Sequence, residues 1–249
     1  SDVNITKTTR ISRLGHLNSV DSEIYETLGG KSFKAGTTYT HAVYYIKEQT
    51  VFKDETYYLI SRAPSSVRGV VGWVKASEMK TYAHTVVDKE DKVFYVKGTG
   101  KATAHAWGGR KDAIYPNLSG YKNKEFKVHL TEKVGDVIWY RGVLEGKTVW
   151  IHSSDVVSKT ESKTSRLGHL NSVNTTIYEA IGGKSFKAGT TYTHAVYYIK
   201  RQAVFGSGKD EETYYLLSTQ PSDTKGIIGW AKSTDLSTHE HKGVDKDPK

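Results

Sequence analysis

The chain has 249 residues with no cysteine, one methionine, 17 tyrosines and a formal net charge of +9. A disulfide-stapled scaffold is excluded, and no apolar run approaches the ~20 residues that a membrane-spanning helix needs. The basic excess is evenly distributed, with eleven Lys and Arg against eight Asp and Glu in residues 1–80, twelve against nine in 81–157 and thirteen against ten in 158–249. Each third therefore carries +3, a pattern that suits an extended polyanion better than one compact anion.

Along the chain, residues 13–47 return as residues 166–200 with 30 of 35 positions identical; the differences are Asp21/Asn174, Ser22/Thr175, Glu23/Thr176, Thr27/Ala180 and Leu28/Ile181. Repetition this close means a modular array. After a short insertion at Gly206-Ser207-Gly208-Lys209, Tyr57-Tyr58-Leu59 returns as Tyr214-Tyr215-Leu216 and Gly72-Trp73 as Gly229-Trp230. The span between the copies is one module long. Ile114-Tyr115 with Leu118 and Gly120 keeps the spacing of Ile24-Tyr25 with Leu28 and Gly30, so a diverged copy is expected there. The expected divisions are a linker at 1–12, a first module at 13–82, a second of different subtype at 83–157, a linker at 158–165, a third module at 166–236, and a tail or linker at 237–249. An array bounded by linkers looks like a piece of a longer protein.

The apolar segments are short, aromatic and β-branched, as at 39–46, 57–60, 70–74, 137–140 and 148–151, and they are bounded by Gly, Asp, Ser or Pro. They predict strands. In 39–47 the alternation places Ala42, Tyr44 and Ile46 on a core face and His41, Tyr45 and Lys47 on the other. Lys53-Asp54-Glu55 and Glu145-Gly146-Lys147 are expected hairpin turns.

The module ends carry a family resemblance. Gly-Trp-Val-Lys-Ala-Ser-Glu-Met at 72–79 and Gly-Trp-Ala-Lys-Ser-Thr-Asp-Leu at 229–236 look like the closing strand and turn of a bacterial SH3-like GW module. With Gly-Lys-Ser-Phe-Lys-Ala-Gly-Thr-Thr-Tyr and Tyr-Tyr-Ile-Lys, residues 5–236 resemble the repeat domain of staphylococcal bifunctional autolysins. The resemblance implies an all-β fold of three tandem SH3-like, half-open barrels. It implies a non-catalytic fragment, secreted to the cell wall of a Gram-positive bacterium, which anchors a peptidoglycan hydrolase by binding lipoteichoic acid. The middle module departs in having Val149 where the others have Gly before Trp. Trp73, Trp150 and Trp230 are expected to close three equivalent barrels.

Apparent catalytic motifs fall away. Gly29-Gly30-Lys31-Ser32 and its copy lack the glycine that a phosphate-binding loop needs five positions earlier, and no helix follows. His152-Ser153-Ser154-Asp155 offers triad residue types, but its counterparts at 75–78 and 232–235 differ freely. His16, His105 and His169 recur in register without metal-ligand spacing, which points to structural hydrogen bonding. No cofactor or metal is expected.

For ligand contact, the candidates are cations repeated beside aromatics: Arg13, Lys31, Lys34, Lys47 and Arg68, with Arg166, Lys184, Lys187, Lys200 and Lys225. Lys101, Arg110, Lys111, Lys122, Lys124 and Lys127 occupy comparable stretches of the middle module, and Tyr45 and Tyr198 could pack on a glycerol or sugar backbone. The expected partner is lipoteichoic or another teichoic acid, with peptidoglycan as a further wall partner; the rival is an adhesin that binds host matrix proteins or heparin-like glycosaminoglycans. Nucleic acid is not expected, for lack of a recognition element.

Overall fold

The computed structural model describes residues 5–243 and is all-β, built of antiparallel sheet with two single-turn α-helices and six three-residue 3-10 turns. The chain forms two compact units. One comprises Ser1–Lys92, Thr99–Ser119 and Lys127–Asp155; the other comprises Val93–Gly98, Gly120–Phe126 and Val156–Lys249. The middle module is thus divided between them.

The first module runs β1 (Ile5–Leu17), β2 (Glu23–Tyr25), β3 (Ser32–Lys34), α1 (Gly36–Tyr39), β4 (Tyr44–Phe52), β5 (Glu55–Ser61), β6 (Val70–Lys75) and β7 (Met79–Asp88). The middle module follows with β8 (Lys92–Val96), β9 (Ala102–Thr103), β10 (Ala113–Tyr115), β11 (Glu125–Val134), β12 (Val137–Leu144), β13 (Lys147–His152) and β14 (Val156–Val157). The third repeats the first as β15 (Lys159–Leu170), β16 (Thr176–Tyr178), β17 (Ser185–Lys187), α2 (Gly189–Tyr192), β18 (Tyr197–Phe205), β19 (Glu212–Ser218), β20 (Ile227–Lys232) and β21 (Leu236–Glu240). In the first unit the strands lie in the order β10-β9-β13-β12-β11-β7-β1-β4-β5-β6-β2-β3. In the second, the order is β17-β16-β20-β19-β18-β15-β21; β14 pairs with β8, off the path of the longer sheet.

Local chemistry sets these elements. Lys53 (φ 49°) and Asp54 (φ 63°) form the two-residue turn between β4 and β5, and Glu145 (φ 48°) with Gly146 (φ 78°) does the same between β12 and β13. Positive φ at both turn residues matches the twist of the strands they join. The core of the first module gathers Leu17, Ile24, Ala42, Tyr44, Ile46, Ile60, Val74 and Met79, including the whole predicted face of the 39–47 segment. The third gathers Leu170, Ile177, Tyr197, Ile199, Leu217, Ala231 and Leu236. Each large aliphatic so buried contributes about 1.5–3 kcal/mol.

The glycine of the Gly-Trp pair has a steric reason. A Cβ on Gly72 would lie 2.6 Å from the Tyr25 carbonyl oxygen and 2.7 Å from Ile24 Cγ2, because β2 pairs with β6 at Tyr25 and Trp73. Gly229 meets Tyr178 and Ile177 at the same distances. In the middle module β13 pairs instead with β9, Trp150 opposite Thr103, and Val149 fills the core at 0% exposure. The three tryptophans are therefore not equivalent. Trp150 is buried, whereas Trp73 and Trp230 are half-buried.

The polar runs expected as linkers are strands. Residues 7–10 pair with β4, as Lys7 with Val51 and Thr9 with Gln49, and residues 159–163 pair with β18, from Lys159 with Phe205 to Lys163 with Arg201. Their polarity comes from solvent on their outer face. The first and middle modules share β7, whose residues 79–83 pair with β1 and whose residues 84–88 pair with β11. Ser237–Glu240, placed in the expected tail, completes the third module as β21 against β15. Residues 1–4 and 244–249 of the expected linker and tail lie outside the described residues.

Candidate ligand-binding cleft

In the first unit, antiparallel pairing sets His16 opposite Lys80 and Leu14 opposite Tyr82, so all four share one face of the β1–β7 pair. The other face carries Leu17 and Met79 into the module core. The first face is covered by the middle module. Leu14, Val43 and Tyr45 form a second core with Ala106, Val134, Trp139 and Trp150.

This junction is held by specific bonds. The buried Asp112 carboxylate accepts from Val43 N at 2.8 Å, from Gly109 N at 2.8 Å and from the Arg62 guanidinium at 2.6 Å, and Arg62 also donates to the Val43 carbonyl. Buried charge is tolerable when so fully satisfied. His84 Nε2 meets Glu132 Oε2, and Tyr45 Oη lies 3.0 Å from His105 Nδ1. Gly109 is required, since a Cβ there would sit 2.1 Å from the His41 carbonyl oxygen.

Beside this junction is an open cleft of about 770 Å³. His16, Lys80 and Tyr82 line it from the first module; Lys101, Trp107, Asp136, Val137, Trp139 and His152 line it from the middle one. Trp107 (φ 53°) projects from the turn after β9, with its ring centroid 4.5 Å from that of His16 and 5.0 Å from that of Tyr82. His16 Nε2 donates to the Trp107 carbonyl at 2.8 Å. Burial lowers the His16 pKa against the raising effect of that bond, and burial likewise lowers that of His105, so both imidazoles are neutral near pH 7. Trp139 and His152 stand opposite on β12 and β13 with ring centroids 5.0 Å apart. Lys80 Nζ lies 5.7 Å from the Tyr82 ring centroid. Asp136, at the rim, is paired with Lys133 at 3.5 Å. Two lysines, neutral imidazole and aromatic faces together can hold a phosphate-bearing polyol: the cations meet phosphate, and the rings cover the carbon backbone.

A second cavity of about 510 Å³ in the same unit contains Tyr45 and Lys47 with His105, Glu132, Arg141 and Trp150. Tyr45 is only 9% exposed, because the middle module covers the face of β4 opposite the module core. Burial lowers the Lys47 pKa, and its Nζ donates to Ser12 Oγ at 2.9 Å. Lys200 donates to Ser165 Oγ at 2.8 Å, beside a half-buried Tyr198.

The remaining candidate cations are dispersed. Arg13 and Arg166 bind the Thr81 and Thr238 hydroxyls at 3.0 and 2.9 Å. Lys34 bridges to Glu23 at 3.3 Å and donates to the Asp21 carbonyl at 2.9 Å, whereas Lys187 donates to the Thr176 hydroxyl at 2.8 Å and the Asn174 carbonyl at 2.9 Å, with no carboxylate partner among the described residues. Lys111 clamps the Thr37 and Thr38 carbonyls of the first module, and Lys122 pairs with Glu212 at 2.6 Å. Lys31, Arg68, Arg110, Lys127, Lys184 and Lys225 are exposed on separate turns and strands; Lys124 is half-buried. Of the candidate cations only Lys101 enters the larger cleft.

Sequence reasoning missed Lys80, Tyr82, Trp107, Trp139 and His152 as cleft residues, and it assigned His16 a structural role. The signal present was Ala106-Trp107-Gly108-Gly109, a turn that neither of the other modules has. No triad forms at 152–155: His152 Nδ1 contacts Ser154 Oγ at 2.7 Å, but Asp155 accepts from Thr99 Oγ1 at 2.7 Å.

The family model of the GW (Gly-Tryp) dipeptide domain matches residues 1–80 and 76–157. A bifunctional autolysin of Staphylococcus epidermidis is 22% identical over 236 residues, 92% of this chain and 17% of that protein. One from Staphylococcus aureus is 19% identical over 92% of this chain and 18% of its own length. The chain thus spans less than a fifth of these curated relatives. A solved structure of a presumed autolysin from Listeria monocytogenes aligns over 94% of this chain and 98% of its own at 16% identity and a TM-score of 0.37. The GW domain is a binding module rather than a catalytic one, and this chain, matched over more than half its length, belongs to the GW dipeptide domain family.

Proposed function

We propose that the chain is a cell-wall-targeting array, secreted to a Gram-positive surface, that retains an attached peptidoglycan hydrolase by binding teichoic acid. The cleft between Lys80, Lys101 and Trp107 carries this reading, because it joins paired cations to aromatic surface in one concave site. The even +3 per third adds weaker contacts along the polymer. Exposed lysine–phosphate pairs contribute about 0.2–1 kcal/mol each, and tethering of several sites on one chain multiplies retention by roughly 10²–10⁴. The curated relatives, both named bifunctional autolysins, support the assignment to a wall hydrolase.

The test is cosedimentation of the chain with Gram-positive walls, with walls stripped of teichoic acids, and with heparin beads, across a salt series. Retention by intact walls that is lost on stripping, and lost again near 1 M salt where the screening length is about 3 Å, is the expected result. Equal retention by stripped walls would refute the teichoic acid reading. Preference for heparin would favour a host-facing adhesin.

A further inference from the structure

The second cavity of the first unit, about 510 Å³ in volume, shares no lining residue with the cleft and carries both signs of charge. Lys47, Tyr45 and His84 line it from the first module; Arg141, Glu132 and Trp150 line it from the middle one. Strand register fixes two of these charges. Leu130 stands opposite Arg141 and Glu132 opposite Trp139, so the guanidinium and the carboxylate sit diagonally on one face of the β11–β12 pair, with backbones about 7–8 Å apart.

These charges do not satisfy one another. Glu132 is held by His84 Nε2, whose ring leaves a buried Nδ1 with no hydrogen-bond partner, as the ring of His241 does in the third module. Arg141 is exposed and, among the described residues, makes no hydrogen bond or ion pair. Lys47, which burial draws below the ordinary lysine pKa, donates to the Ser12 hydroxyl at 2.9 Å and has no carboxylate partner among the described residues. Two cations without acids, and an acid held away from both, thus open on one space. A plain anion would meet repulsion from Glu132, and a plain cation would meet it from Arg141 and Lys47.

We propose that this cavity binds a small zwitterion, one carrying a primary ammonium within a few ångströms of a carboxylate or phosphate, as an amino acid or an amino-alcohol phosphate does. The ammonium meets Glu132. The anionic end is gripped by the Arg141 fork and by Lys47, since a guanidinium takes either anion through paired hydrogen bonds. The carbon skeleton lies on Tyr45 and Trp150, in the manner of a pocket whose apolar walls carry a few placed polar groups. The third module keeps Tyr198 and Lys200, but the middle module that supplies Glu132 and Arg141 occurs once, so the chain has one such site.

Calorimetric titration of the whole chain tests this with alanine and phosphoethanolamine, and with the half-ligands acetate, inorganic phosphate and ethanolamine. At least one of the two zwitterions should bind, one molecule per chain, about tenfold or more tighter than each of its own halves; which of the two binds tells an amino acid from an amino-alcohol phosphate. Arg141→Gln should weaken that zwitterion about tenfold, and because Arg141 is exposed the variant keeps the fold. Glu132→Gln should remove the advantage over the anionic half-ligand. Absence of binding by both zwitterions, a half-ligand as tight as its zwitterion, or an affinity unchanged by Arg141→Gln would overturn the proposal. No polymer enters the measurement, so its failure is distinct from failure of teichoic acid binding.

Discussion

The first and third modules share almost the same 35 residues and the same β-strand order, yet one carries a buried junction where the other carries an open face. Val43 and Val196 are the clearest pair, identical in sequence neighbourhood and opposite in exposure. The comparison shows that the second face of a GW module is neutral as to role. What it does depends on the neighbour that reaches it, and here the neighbour brings the Ala106–Gly109 turn, Trp139 and Trp150.

The largest effect that could break this comparison is Val43→Asp against Val196→Asp. At Val43 a carboxylate would be buried beside Asp112, at a cost of about 3–5 kcal/mol as for other unpaired buried charges. At Val196 the same change should stay within about 0.5 kcal/mol, as an exposed substitution does. Chemical denaturation of the two variants measures the difference. Equal costs would mean that the two faces are alike in solution.

How far the sequence revealed this can be seen in the same residues. The repeat, the strands and the hairpin turns at Lys53-Asp54 and Glu145-Gly146 were legible, because turn chemistry and alternation are local. Alternation in 39–47 correctly sends Tyr44 and Ile46 to the module core. It puts Tyr45 on the opposite face and leaves open what covers it: Tyr45 is 9% exposed and Tyr198 half-buried, since no local pattern can distinguish two copies of one segment. The polar stretches 5–12 and 159–165 proved to be strand and not linker for a related reason: a strand with a solvated outer face needs little apolar character once its backbone is paired. The cleft was the least legible part, because it is assembled from two modules and, of its lining residues, Lys101 alone is a ligand candidate by sequence.

A smaller contrast lies in pH. Burial holds the pKa of His16 and His105 below the ordinary 6.5, so the folded junction favours neutral imidazole. Its contribution is complete above pH 6.5 and is lost as the pH falls through 6.5 towards the folded-state values. Hydrogen exchange should therefore quicken in β4 and β11 of the first unit between pH 7.5 and 5.5, after correction for intrinsic rates, and do so less in β18. In the His16→Gln, His105→Gln double variant that acid sensitivity should largely disappear. Sensitivity undiminished by the double substitution would assign it to other groups.

The smallest effect concerns the two acidic positions that the third module lacks. Lys34 is partly neutralised by Glu23, while Lys187 faces Thr176 and Asn174. Lys187→Glu should weaken wall binding about twofold more than Lys34→Glu, within the ~0.2–1 kcal/mol of an exposed pair. The cosedimentation assay resolves it, and the reverse order would show that the third module contributes less to the polymer than the first.

The most direct test of the central claim is the affinity of purified lipoteichoic acid for the chain carrying Lys80→Glu with Lys101→Glu, compared with the chain carrying Lys31→Glu with Lys184→Glu. Both double variants change the net charge equally, by −4, but only the first alters the cleft. If the polymer is held there, the cleft variant should lose about tenfold or more in affinity, roughly 1.4 kcal/mol, and the control no more than about threefold. Equal losses in the two would contradict the account and leave charge alone, distributed over the whole array, as the basis of binding.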